Sequence, residues 1–196
     1  SATPLTSKFG WDQGWDHFDE RLRVGLLDSS KERTASHTVD AALAWLEHHN
    51  DQRFATWVHL FDAHGPYEAP GRIIDGPTEG QALALPDYWP DAHKAITDPG
   101  WFVAAYAAEI HHMDQQLERL FVALAEWGVL DDTLVIIVGD HGESLTEHGS
   151  LFDHGDHMYD VSLRVPLIVR WPGHIEAGVG HDCVVSTTGV YSAVLD

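Results

Sequence analysis

The sequence predicts an α/β fold, a three-layer sandwich with helices packed on a mostly parallel central sheet. Three observations predict it. The β-branched apolar run from Thr133 to Val138 reads as a buried strand. The stretch from Asp98-Pro99 to Gly128 reads as a long amphipathic helix. Between and around them, β-rich runs alternate with helical periods, the pattern of layered α/β proteins. A length of 196 residues suits one domain, or most of a larger one.

The elements follow in chain order. Residues 1–30 are rich in Gly, Trp and Asp without a period, and read as loops with short elements. A helix is expected over 34–49, where Val39, Ala42, Leu43 and Leu46 recur at three- and four-residue spacing. Residues 54–61 read as a central strand, ending in the turn-rich Asp62-Ala63-His64-Gly65-Pro66-Tyr67. Residues 68–98 carry several Pro and Gly and read as a long surface loop of the functional kind. Asp98 then caps a helix with Pro at its first turn, and Gly128 closes it. Phe102, Tyr106, Ile110, Met113, Leu117, Leu120 and Leu124 make one stripe, with Glu109, His112 and Gln116 mostly off it. Met158–Ser162 suggests a helical turn, 164–170 a further strand, and the apolar tail from Val179 a strand and the start of a helix. The strands near 54–61, 132–139 and 164–170 are expected to be central.

Composition excludes several classes. Eleven Lys and Arg stand against 31 Asp and Glu, a formal charge of −20, which repels a phosphate backbone and argues against nucleic acid as a partner. No run approaches the ~20 apolar residues of a membrane helix, and no signal-like segment opens the chain. The single Cys183 rules out an internal disulfide framework and a cysteine-rich zinc site, and reads as a packed thiol.

The chemistry concentrates in loops that follow strands. Gly139-Asp140-His141-Gly142-Glu143-Ser144 leaves the 133–138 strand at its C-terminal end, where α/β sheets gather their sites. Asp140 offers a hard oxygen and His141 a nitrogen, a pair suited to a divalent cation. Taken alone, the same motif also reads as an ordinary polar turn. His64 follows the 54–61 run, and His154 lies in the Gly-flanked turn Phe152-Asp153-His154-Gly155. If the strands are parallel neighbours, these loops open on one rim, and such a set would polarise an anionic tetrahedral group.

These segments together resemble the sulfatase family of the alkaline phosphatase superfamily. The likeness runs through Phe9-Gly10-Trp11-Asp12, through Trp57 to Tyr67 with its D-x-H-x-P-Y pattern, and through Asp132 to Gly149. It continues in Phe152-Asp153-His154-Gly155, Tyr159-Asp160 and Arg164-Val165-Pro166-Leu167-Ile168-Val169. The resemblance implies an alkaline phosphatase-like fold, here incomplete, with 1–196 as a single partial catalytic domain. It implies that Asp140 and His141 ligate the active-site metal, where many members have Asn at the second position. His64 matches a histidine at the transferred group or leaving oxygen, and His154 stands where other members carry Lys or His at the same group. Glu143 and His148 are candidates for supporting roles.

Two departures shape the expectation. No segment of the 196 residues resembles the family's nucleophile segment, whose Cys or Ser becomes formylglycine or whose Thr is used unmodified. Cys183 lacks the C-x-P-x-R surroundings. Val185–Asp196 resembles a C-terminal family run, with Gly189 and Ser192 replacing its Asp and Pro, and the family's small C-terminal subdomain is not expected within these 196 residues. The chain is therefore expected to be the middle of a sulfatase-type enzyme, inactive by itself. The parent would hydrolyse a small anionic sulfate or phosphate ester. A divalent metal is expected in the complete enzyme, with Mn²⁺ or Zn²⁺ favoured over Ca²⁺ by the nitrogen of His141. None is expected to bind tightly to this chain. A phosphodiesterase or phosphoryl transferase of the same superfamily, and a non-catalytic module, are the alternatives.

Overall fold

The computed structural model describes residues 5–21, 32–70, 76–149 and 151–195. The loop readings at 1–4, 22–31 and 71–75 lie outside them. Two compact units divide the chain, Ser1–Trp127 and Gly128–Asp196.

In the first unit, α1 (Ala35–Leu46) packs against α3 (Pro99–Glu126). The α3 start is as the sequence predicts: the Asp98 carboxylate accepts the Gly100 N–H at 2.9 Å, with Pro99 in the first turn. Its buried face differs from the apolar stripe. Trp101, Phe102, Ala105, Glu109, Gln116, Leu120 and Leu124 are buried, whereas Ile110 is exposed. Polar residues take the inner face because partners meet them there. The Arg119 guanidinium donates to Gln116 Oε1 and to Asp40 Oδ1 on α1, both at 2.6 Å.

The 68–98 segment is more than a surface loop. It carries the short helix α2 (Asp91–Lys94) and buries Ala69, Trp89, His93 and Ile96. Trp89 stands edge-on to Tyr67 at 5.1 Å and packs on Phe102 at 5.4 Å. A Cβ on Gly65 would come within 2.5 Å of the Trp89 ring, so only glycine lets that indole seat. Burial of these large rings fastens the loop.

His93 sits inside this aromatic box, with Trp89 at 5.4 Å and Trp101 at 5.9 Å, and neither ring nitrogen has a hydrogen-bond partner. Burial pushes its pKa below the ordinary histidine value. The Glu68 charge and the nearby Tyr67 backbone pull the other way without closing a hydrogen bond. The unfolded chain therefore binds this proton at ~6.5 while the native state still refuses it, so stability falls as pH drops below that value. The melting temperature of His93→Phe is expected to fall less between pH 7.5 and 5.5 than that of the parent chain. Equal losses in thermal unfolding would show that His93 does not titrate this way.

Residues 54–61 form no strand, contrary to the sequence expectation. They have no ladder partner among the described residues, and Trp57 is 66% exposed. β-propensity alone does not make a strand, because stability comes from cross-strand pairs.

The second unit holds β1 (Val135–Val138), α4 (Asp160–Leu163), β2 (Leu167–Arg170) and α5 (Gly189–Leu195). The tail forms α5 but not the strand expected before it. The two strands pair antiparallel, Val135 opposite Arg170 and Val138 opposite Leu167. This corrects the expected parallel pairing. A parallel return needs a crossover long enough to recross the sheet. Among its described residues, the connection 139–166 contains only one short α-helical turn and a 3₁₀ turn at Glu147–Gly149, so the chain returns at the end it left. The Gly139 N–H donates to the Pro166 carbonyl at 3.2 Å and closes that excursion at its neck. No parallel sheet or third layer occurs among the described residues.

Candidate functional site

The antiparallel pairing decides what the 139–166 excursion can do. Everything from Asp140 to Val165 must fold back on itself at one end of β1. Its first tie is Gly142, whose N–H donates to the Ser162 carbonyl at 2.8 Å. Its second is a bridge between Ser144 and Asp153, where the Ser144 N–H donates to the Asp153 carbonyl at 3.1 Å and the Phe152 N–H to the Ser144 carbonyl at 2.7 Å. Phe152 is fully buried below that bridge. His148 stacks on Tyr159 at 3.7 Å, tying the loop's outer part to the start of α4.

These ties bring Asp140, His141, Glu143 and His154 together. The His141 and His154 rings stack with centroids 4.1 Å apart. Glu143, its side chain 7% exposed, accepts from His154 Nδ1 at 3.1 Å. The buried carboxylate raises the His154 pKa above its ordinary value, against the cost of burying the ring; Asp153 and Asp140 add to the rise. The arrangement thus favours an imidazolium, a cation suited to a sulfate or phosphate oxygen. The Asp153 carboxylate also accepts the His154 N–H at 3.0 Å and sets the backbone there.

Asp140 and His141 fit two adjacent metal donors. Asp140 Oδ1 takes the His141 N–H at 2.9 Å, while its side chain is 75% exposed. His141 Nδ1 donates to the Gly142 carbonyl at 2.9 Å, which leaves the lone pair on Nε2, 3.8 Å from Asp140 Oδ2. A ring fixed through one nitrogen and ligating through the other is the usual way a protein orients a metal-bound histidine. Two donors are not a complete shell, and no group of three or more His, Cys, Asp or Glu poised for a metal occurs among the described residues.

His64 belongs to the first unit, whereas the other three predicted site residues belong to the second. Its Nδ1 donates to the Gly65 carbonyl at 2.7 Å, and its ring stacks on Phe61 at 4.6 Å. Tyr88, exposed on the 76–98 segment, lies 6.1 Å away.

Residues 3–196 match the model of the Sulfatase family. The chain belongs to the sulfatase family. Among curated sulfatases, human arylsulfatase K is 31% identical over 170 residues, which cover 86% of this chain and 28% of that protein. The arylsulfatase of Clostridium perfringens is 39% identical over 75 residues, 38% of this chain and 15% of its own length. The choline-sulfatase of Rhizobium meliloti is 38% identical over 69 residues, 35% of this chain and 13% of its own length. The chain thus spans only a minor part of these sulfatases. Among solved structures, yidJ from Bacteroides fragilis, itself assigned as a sulfatase, superposes with a TM-score of 0.52 at 22% identity. It covers 74% of this chain and 32% of its own. That likeness shows a shared fold.

Sequence reasoning missed one pair in this sulfatase chain. Asp62, inside the D-x-H-x-P-Y segment, is buried and accepts the Ala35 N–H at the start of α1 at 2.8 Å. His112 on α3 approaches it to 3.9 Å. The signal was weak: His112 falls three residues after Glu109 and four before Gln116, both now known to face inward.

Proposed function

We propose that the protein hydrolyses sulfate esters with a divalent cation held in part by Asp140 and His141, and that residues 1–196 supply part of one catalytic domain. The observation that carries this reading is the clustering of Asp140, His141 and His154 over the buried Glu143, within a sulfatase-family chain. His154, whose protonated form the Glu143 carboxylate favours, would bind an oxygen of the anionic group. His64 would serve the leaving oxygen of the ester. With its proton on Nδ1 committed to Gly65, its chemistry falls to Nε2, which would exchange a proton with the leaving oxygen. A bound divalent cation would supply Lewis-acid neutralisation of developing charge. The nitrogen of His141 favours Mn²⁺ or Zn²⁺ over Ca²⁺.

The substrate is a small anionic ester, and the relatives named as arylsulfatase and choline-sulfatase support sulfate over phosphate. No segment of the chain resembles the family's nucleophile segment, so the 196 residues alone are expected to show no turnover. The test compares nitrophenyl sulfate with nitrophenyl phosphate. The complete protein is expected to hydrolyse the sulfate ester at an ordinary enzymatic rate (~1–1000 per second) and this chain neither ester. Preference for the phosphate would move the protein to the phosphoesterase reading. Turnover by this chain alone would direct attention to Ser144, Thr146 and Cys183 as nucleophiles.

A further inference from the structure

We infer that Asp62 and His112 form a buried latch that positions His64, a conclusion that rests on the catalytic role proposed for that histidine. Asp62 lies two residues before His64, at the turn where the chain passes the N-terminus of α1. Its side chain is 4% exposed. One carboxylate oxygen, Oδ1, accepts the Ala35 N–H, the amide that Thr34 leaves without a side-chain cap. The other, Oδ2, is buried with no hydrogen-bond partner. His112 reaches in from the middle of α3, and its Nε2 is likewise buried without a partner, 3.9 Å from Asp62 Oδ1.

A buried ring nitrogen able to donate thus lies 3.9 Å from the carboxylate oxygen that holds Ala35, and the same carboxylate keeps its second oxygen buried without a partner. Native interiors seldom leave such groups unpaired, and each one calls for a reason. Shortening this 3.9 Å approach to hydrogen-bond length would make an Nε2–H···Oδ bond. The closed bond would join three elements at one carboxylate: α1 through its first amide, α3 through His112, and the His64 turn through the backbone. The turn is already rigid on its far side. The His64 N–H donates to the Phe61 carbonyl at 3.0 Å, the ring stacks on Phe61, and Gly65 lies tight against Trp89. Asp62 fixes the near side. A side chain clamped on both sides holds its ring nitrogens where a reacting oxygen can use them, which is the function of a positioning residue. His112 and Asp62 touch neither substrate nor metal in this scheme. They act through His64.

The test reads His64 directly, without turnover. In the ¹⁵N-labelled chain, the His64 ring nitrogens are expected to report a proton held on Nδ1 by the Gly65 carbonyl. In His112→Ala and Asp62→Asn their shifts should move towards averaged tautomers. His112→Gln, which keeps a donor of similar reach, should restore the parent values and guards against a variant that merely unfolds. Unchanged His64 shifts in folded His112→Ala and folded Asp62→Asn would overturn the latch. In the complete protein, His112→Ala should lower kcat about tenfold more for sulfate esters of poor leaving groups than for nitrophenyl sulfate, because only the former need a proton delivered. A uniform loss across esters would count against positioning. Shifts that move while every ester is turned over as before would keep the latch and instead remove His64 from the proposed chemistry.

Discussion

Asp140→Ala is expected to cost the complete protein about a thousandfold or more in kcat/KM on nitrophenyl sulfate while leaving its melting temperature nearly unchanged. The two halves of that expectation come from the same geometry. The Asp140 side chain is largely in solvent, and its contacts are local: its own neighbour's N–H at 2.9 Å and the His141 ring at 3.8 Å. Exposed groups with such contacts contribute little to folding. Charge neutralisation by a bound cation is worth several kcal/mol at the transition state, and each ~1.4 kcal/mol is tenfold in rate. Elemental analysis is the second measurement. The variant is expected to lose divalent metal along with activity, and added Mn²⁺ or Zn²⁺ should restore little of either. A fully active, metal-free parent would overturn the assignment of Asp140 and the mechanism with it.

The sequence made some features legible and hid others for physical reasons. The two long helices, the strand after Thr133 and the strand around Ile168 were readable because each carries a strong local signal: caps, a helical period or a β-branched run. Strand pairing was not. Direction depends on what connects β1 and β2, and the decisive fact is the lack of a long helix among the described residues of 139–166. That was visible in the sequence, yet the expected parallel sheet outweighed it. The buried face of α3 was misplaced for a related reason. Hydropathy assigns Ile110 inward and Glu109, His112 and Gln116 outward, but Arg119 and Asp40 build a polar seam against α1 that hydropathy cannot see. At the candidate site, the motif pointed to Asp140, His141 and His154 and suggested Glu143, side chains that the structure brings together. It carried no information on the His141–His154 stack or on Glu143 as the buried partner of His154, because both depend on the bridge between Ser144 and Asp153.

Gly142→Ala is expected to be the most damaging single-methyl change in the second unit, destabilising it by about 3 kcal/mol or more and disordering the site. A Cβ at position 142 would lie 2.0 Å from the Val161 carbonyl oxygen, 3.0 Å from its carbon and 3.3 Å from Ser162 Cα. All three are backbone atoms, so no rotamer change relieves the clash, and the loop must move by more than an ångström-scale adjustment. That movement breaks the Gly142 N–H to Ser162 carbonyl bond of 2.8 Å, one of the two ties that fold the excursion back. Overpacking in a well-filled interior commonly costs 1–3 kcal/mol. The backbone contact and the lost hydrogen bond place this change at or beyond the top of that range. Gly180→Ala supplies the control, since its Cβ meets nothing within 4 Å and its backbone is not in the left-handed region. It should stay within about 0.5 kcal/mol of the parent. Denaturant unfolding followed at Trp171 measures both. The glycine after His141 therefore lets two stretches of backbone touch, and the touch holds His141 under His154. If Gly142→Ala proved as stable as Gly180→Ala, the tight neck between 142 and 161 would be wrong, and with it the clustering on which the proposed site depends.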